Sequence, residues 1–416
     1  MLSRRFIYPA LAIVCAAPRL GVLLHERGAI LASYTEKSDT FATTFVKHGT
    51  FGFIPGIPSA DTQPLYGWFL VPVYWIFGRS WESVGLAQLL LAIVTVWLVW
   101  EIGKRFLSVH AAIAGAVIAT LNPYLVWHDM HVNREIVDQV VLAGLVLATV
   151  ALARRPTLEL AALDGVLLGL AILGNARLFA LPLVVAAWLA ARVRRRVVVV
   201  LTAVAFAFAG LTVLPWLVRN KIQVGCYALT TDGRAFWKAN NRFTYGVLSH
   251  GGWIDDVPSA RPPGRPPTPE EAWGTWLSTG QKTQVDECAQ PGYYESKVFS
   301  FWADHPSEKG KLMEQASSML WSPFVTETSG RSGAGTSLDV GRRVIAPAYM
   351  IGVYALAAVG AFLAPIWLVV LTALLLAYNT VAALAFAGAT RYRVAFDFLL
   401  ALLAGTAITY RRHLNR

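Results

Sequence analysis

Apolar residues run along this chain in stretches of about 20, enough for a helix to cross a hydrocarbon core of about 30 Å, and short basic clusters interrupt them. Ten such runs occupy 6–26, 82–101, 106–127, 135–153, 158–174, 177–191, 197–217, 345–363, 366–388 and 394–410. The expected fold class is therefore an all-α polytopic membrane protein with about ten transmembrane helices. The first run follows Met1-Leu2-Ser3-Arg4-Arg5 as a signal peptide would, but Arg19 interrupts it and no small-residue cleavage site closes it. It reads as a retained first helix.

Two segments do not fit as spans. The first, 27–81, holds the polar stretch 33–50, a Gly/Pro-rich turn at 49–58 and a short aromatic run at 64–78. That run is too short to span, so it predicts an interfacial helix lying on the membrane. The second, 218–344, is polar, with a Pro-rich run at 259–269 and short helices expected at 294–302 and 308–320, capped near Ser296 and Ser307. The chain thus divides into a transmembrane module at 1–217 containing the first outer loop, a large extracytoplasmic loop at 218–344, and C-terminal transmembrane helices at 345–416.

Composition agrees with the pattern. Of 416 residues, 56% are hydrophobic and 15% charged, and mean hydropathy is +0.50; a soluble domain carries roughly 25% charged residues. With a cytoplasmic N-terminus, the inner loops collect Arg4/Arg5, Lys104/Arg105, Arg154/Arg155, Arg192/Arg194/Arg195/Arg196 and Arg411/Arg412/Arg416. The net charge of +11 is then largely topological, which points to the cytoplasmic (inner) membrane and not to nucleic acid. Neither a Gly-rich phosphate loop nor zinc-type Cys/His spacing occurs, so no cofactor and no metal are expected. Cys15 reads as an inert core residue; Cys226 and Cys288, both in the large loop, are either a disulfide or two free thiols.

Charges at the edge of a membrane are costly and mark function by default. In this topology they gather on the outer side. Asp39 lies in the first loop, three residues after Glu36; Glu135 and Asp138 share a face at the start of one span, after a short loop holding His128. Arg177 sits in the turn Gly174-Asn175-Ala176-Arg177, Arg219 follows Pro215-Trp216-Leu217-Val218, and Arg391 and Arg393 flank Tyr392. Singly, each has an ordinary reading: solvated acid, snorkelling anchor or helix-capping carboxylate. Together they converge from helices remote in sequence, which anchors scattered on both faces would not do.

Several short motifs follow one another in a familiar order. An outer-loop Asp precedes a Phe/Ala-rich helix and His48-Gly49; then come Gln63-Pro64-Leu65-Tyr66-Gly67-Trp68, Phe77-Gly78-Arg79-Ser80, Asn133-Arg134-Glu135, Pro215-Trp216-Leu217-Val218-Arg219-Asn220, His305-Pro306 leading to Leu320-Trp321-Ser322-Pro323, and Arg391-Tyr392-Arg393. In this order the chain resembles the GT-C membrane glycosyltransferases, in particular protein O-mannosyltransferases and lipid A aminoarabinose transferases. The resemblance implies a GT-C-like fold and an enzyme that passes a sugar from a polyprenyl-phosphate donor to a glycan, lipid or protein acceptor on the extracytoplasmic side, with inversion. Asp39 matches the family's catalytic aspartate, a general base, with Glu36 as its rival; Glu135 matches a second acid that orients the acceptor or the base. Arg177, Arg219, Arg391 and Arg393 become candidates for the donor phosphate, since guanidinium binds phosphate oxygens in a fork. Glu36, Tyr66, His128, Asp138 and Tyr392 are further candidate contacts. One position departs from the pattern: Gln63 stands where aminoarabinose transferases carry a lysine.

Two other classes compete. A lipid flippase or other carrier would hold ionisable residues near the bilayer midplane, where only Asp164 and Asp397 qualify, and would show an internal repeat, which is absent. A polysaccharide polymerase or ligase would share the chemistry and transfer whole glycans.

Overall fold

The computed structural model describes residues 4–32, 36–258, 265–325 and 341–410; the basic cluster expected at 411–416 lies outside them. Seven of its helices are long and apolar enough to cross a membrane: Arg5–Glu26, Trp81–Phe106, Glu135–Arg154, Arg195–Gln223, Arg343–Leu363, Ile366–Ala385 and Thr390–Thr409. The chain is a multi-pass helical membrane protein, and no strand longer than an isolated bridge forms among the described residues.

The three remaining expected spans are shorter helices. The run at 106–127 divides into Val109–Thr120 and Pro123–His128, because Pro123 has no N–H to continue a helix and the Asn122 side chain accepts from the Tyr124 N–H at 3.0 Å, starting a new one. The run at 177–191 yields only Leu181–Ala190, about 15 Å long. Here the Asn175 side chain caps the Arg177 N–H and the chain first makes the 3-10 turn Ala176–Leu178. Leu158–Gly174 has 17 residues.

Small residues bring the spans together backbone to backbone, as membrane helices require where no hydrophobic drive separates helix from lipid. Asp397–Thr409 lies along Val109–Thr120, and a Cβ at Gly405 would collide with the Ala111 carbonyl and the Gly115 backbone. Arg19 does not break the first helix. Its Nε and Nη2 donate to Asp129 Oδ2 at 2.9 and 2.7 Å, and its Nη1 donates to the carbonyls of Cys15 and Thr120. The charge is paired, and both Nη1 hydrogens have acceptors.

The first non-spanning segment folds into Lys37–His48 and Pro64–Phe77. The large one carries Gly233–Lys238, Thr244–Ser249, Pro269–Thr279, Ala289–Asp304 and Pro306–Trp321. The last two begin earlier than expected. Pro306 occupies the first helical position, where a missing N–H costs nothing, and Ser296 lies inside its helix, donating back to the Tyr293 carbonyl. Cys226 and Cys288 form a disulfide, their Cα atoms 5.8 Å apart across 62 residues of chain, while Cys15 is free and buried. Closing a loop of that length stabilises by roughly 4 kcal/mol through chain entropy. Cys226→Ser is therefore expected to lower the melting temperature of the purified protein; an unchanged melting curve would mean that the bond carries no stability.

Candidate active site

Helix ends on one side of the bundle and the two non-spanning segments surround a cavity of about 980 Å³. Glu36, Lys37, Asp61 and Gln63 of the first non-spanning segment line it, as do Asp232, Arg234, Trp253, Asp255 and Glu270 of the large one. Arg134 and Arg177, from turns between helices, and Arg391 and Tyr392, from the first turn of the last span, close the remainder.

Arg391 is the hub of the basic side. Its Nη2 donates to Glu36 Oε1 at 2.7 Å and its Nε donates to Glu135 Oε1 at 2.6 Å. Glu135 is buried behind Arg391 and does not line the cavity, whereas Glu36 does. Glu36 Oε2 takes no hydrogen bond among the described residues. Burial, with Glu135 nearby, holds the Glu36 carboxyl above the usual carboxylate range.

Arg177 lies with its guanidinium carbon 3.8 Å from the centre of the Tyr392 ring, a cation–π contact. Its Nε and Nη2 are buried and unpartnered among the described residues, as is Arg134 Nε. Arg134 Nη1 donates to Gln63 Oε1 at 2.9 Å, so the neutral side chain at the departing position is itself held by an arginine. Buried N–H groups without acceptors are costly, and these stand on the wall of a cavity. An incoming anion would satisfy them.

Glu36 and Asp39 do not share a helical face. Glu36 is extended, at φ −89° and ψ 161°, and precedes the first turn of Lys37–His48. Asp39 lies in that turn and does not line the cavity: Tyr74 Oη donates to its Oδ1 at 2.6 Å, and Arg79 donates from Nε and Nη2 at 2.9 and 2.7 Å. Both carboxylate oxygens are engaged. The hydrogen bonds to Asp39, against some burial, raise the Arg79 guanidinium above its ordinary value.

Arg219 and Arg393 also lie off the cavity. Arg219 donates to the carbonyls of Ser59 and Phe51 at 2.7 and 2.8 Å and stacks on Trp216 at 4.9 Å, fastening the turn around residues 51–59. Arg393 is buried against Asp397 and donates to the carbonyls of Leu320 and Ser322 at 2.9 and 2.8 Å, joining Pro306–Trp321 to the last span. Tyr66 donates to Gln88 at 2.6 Å, His128 stacks 3.7 Å from Tyr124, and Asp138 receives the Asn175 amide at 3.4 Å. Of the further candidate contacts, only Glu36 and Tyr392 line the cavity.

One group had no signal beyond the charges themselves. Lys37 Nζ lies 2.8 Å from Asp61 Oδ2, 2.8 Å from Asp232 Oδ2 and 3.0 Å from Glu270 Oε1, and Arg234 also pairs with Glu270. Burial opposes the ammonium, but Asp232 and Asp61 outweigh it and hold Lys37 above its usual value. Burial pushes Asp61 up to about 6, with Lys37 working against the rise.

A family model described as dolichyl-phosphate-mannose-protein mannosyltransferase matches residues 61–218. No curated protein sequence matches the chain. Among solved structures, the archaeal oligosaccharyltransferase AglB from Archaeoglobus fulgidus, in complex with an inhibitory peptide and a dolichol-phosphate, superposes with a TM-score of 0.55 at 14% identity, over 100% of this chain and 52% of its own. The Archaeoglobus fulgidus oligosaccharyltransferase tethered with an acceptor peptide gives 0.53 at 11%, over 99% of this chain and 51% of its own. ArnT from Cupriavidus metallidurans bound to undecaprenyl phosphate gives 0.43 at 14%, over 96% and 78%. The chain spans about half the length of the archaeal structures it matches. In sequence over 61–218, and in fold along its whole length, the chain resembles the GT-C superfamily of membrane glycosyltransferases.

Proposed function

We propose that the chain is a glycosyltransferase of the cytoplasmic membrane that takes a sugar from a polyprenyl-phosphate donor and transfers it, with inversion, to a hydroxyl-bearing acceptor on the extracytoplasmic side. The observation that carries this reading is the set of buried, unfilled guanidinium N–H groups of Arg177 and Arg134 on a cavity wall beside Arg391. A phosphodiester between a lipid and a sugar offers oxygens to such forks, and the charge released on its oxygen as the sugar departs is stabilised by the same groups.

The chemistry requires one proton acceptor. As the acceptor oxygen bonds to sugar C1, the bond from C1 to the phosphate oxygen breaks, its electrons remain on the phosphate, and the hydroxyl proton passes to a carboxylate. Glu36 is the cavity-wall acid that pairs with Arg391, and burial with Glu135 nearby raises its carboxyl, which strengthens it as a base. Asp39, the acid matched by family order, is engaged by Arg79 and Tyr74 and is better suited to holding its helix. The carrier reading is disfavoured: Asp164 bonds to Thr149 and Asp397 to Arg393, and neither lines the cavity.

Purified protein in liposomes, given a polyprenyl-phosphate monosaccharide and a mixed pool of envelope acceptors, is expected to release free polyprenyl phosphate. Movement of the intact donor between leaflets without that release would replace the transferase by a flippase.

A further inference from the structure

Three neighbouring residues at the start of Lys37–His48 are pulled in three directions. Glu36 reaches Arg391, Asp39 reaches Arg79, and Lys37, between them, reaches the large outer segment. Of the three, Lys37 joins the two outer segments: its ammonium is shared by Asp61 of the first and by Asp232 and Glu270 of the second, the latter two 195 and 233 positions away in sequence by residue number. Around this point the segments are joined further by backbone: the Thr231 N–H donates to the Ala60 carbonyl at 2.9 Å, and the Thr230 hydroxyl to the Asp61 carbonyl at 3.1 Å. Glu287, beside the disulfide at Cys288, accepts from both the Ala60 N–H and the Thr231 hydroxyl at 2.9 Å.

We infer that Lys37 is a positioning residue, which closes the large outer segment over the cavity and thereby fixes the direction of Glu36. The inference rests on the glycosyltransferase reading for its effect on rate and on geometry alone for closure. Without the ammonium, carboxylates of Asp61, Asp232 and Glu270 that now converge on one point would face each other with Arg234 as the remaining close cation, and like charges held together in a partly dry site repel. The segment they belong to would swing out, and Glu36, whose carboxylate is held by Arg391 but whose side chain caps no helix N–H, would lose the anchored neighbour that fixes its backbone. A base displaced by about 1 Å costs roughly a hundredfold in rate.

The test is Lys37→Met beside Lys37→Arg in the full-length protein. Hydrogen–deuterium exchange is expected to rise in Lys37→Met at 230–238 and 269–279 and to stay near wild type in Lys37→Arg. Transfer is expected to fall roughly a hundredfold in Lys37→Met through kcat, with KM for the donor little changed, and to be largely restored in Lys37→Arg. If Lys37→Met does not accumulate, Asp232→Asn and Glu270→Gln each remove one partner and are expected to raise exchange at the same segments by less. Unchanged exchange in Lys37→Met, or in both substitutes, overturns the latch, whatever the activity. Raised exchange with unaltered kcat overturns the link to Glu36. A wild-type protein that does not transfer sugar, yet shows the exchange pattern, removes the transferase reading and leaves the closure standing.

Discussion

Glu36→Gln is expected to lower sugar transfer by about 10²–10⁴-fold, the range that a positioned general base contributes, while leaving the protein inserted and able to bind donor. The amide keeps the volume and a hydrogen-bond acceptor for Arg391 but cannot take the proton. The rate of the wild type should also fall on acidification, because only the ionised carboxylate is a base. Since burial and Glu135 raise the Glu36 carboxyl, that acid limb should lie above the ordinary glutamate value of roughly 4.3 and vanish in the variant. Asp39→Asn is expected to act differently, loosening the contact with Arg79 and lowering the yield of folded protein, with smaller loss per folded molecule. Near-normal turnover in Glu36→Gln together with a dead but folded Asp39→Asn would transfer the role of base to Asp39.

Arg177→Ala should cost about 10²–10³-fold in kcat/KM, the scale seen when one preorganised donor to a developing oxyanion is removed. Arg177→Lys should recover little of this, because an ammonium is a point charge and cannot offer the parallel N–H pair that a phosphate accepts. Arg219→Ala serves as the contrast. It removes a guanidinium that holds the Phe51 and Ser59 carbonyls, so it should reduce stability and leave donor affinity per folded molecule unaltered. If Arg219→Ala weakens donor binding and Arg177→Ala does not, the phosphate sits on the other side of the segment 27–81.

What could be read from sequence was what depends on short windows. An unbroken apolar run needs no tertiary information, and the seven long helices stand where such runs predicted them. Hydropathy does not register a cap, so the breaks at Asn122-Pro123 and Asn175 shortened two expected spans. The helix Pro269–Thr279, begun by the reciprocal capping box of Thr268 and Glu271, was not expected, because it follows a Pro-rich run. The candidate site was legible as residue types gathered from helix ends remote in sequence. Which arginine would face the cavity and which would face carbonyls was not, because Arg177 and Arg219, or Arg391 and Arg393, differ in contacts made with residues far along the chain. Lys37 was invisible for the same reason: a lysine beside a glutamate reads as a solvated pair until Asp232 arrives from 195 residues away.

The pair formed by Arg19 and Asp129 bears on how the chain enters the bilayer. In order of synthesis Arg19 leaves the ribosome 110 residues before its partner, so the leading helix first meets lipid with its guanidinium uncompensated. An arginine at the centre of a helix costs insertion roughly 2.5–3.5 kcal/mol, and one nearer the end costs less. The apolar remainder of that helix must bear this alone until the third hydrophobic run has been threaded and Asp129 closes the pair. Insertion and folding are therefore not separable stages here: the first helix reaches its final energy only after the loop beyond the third run has been made.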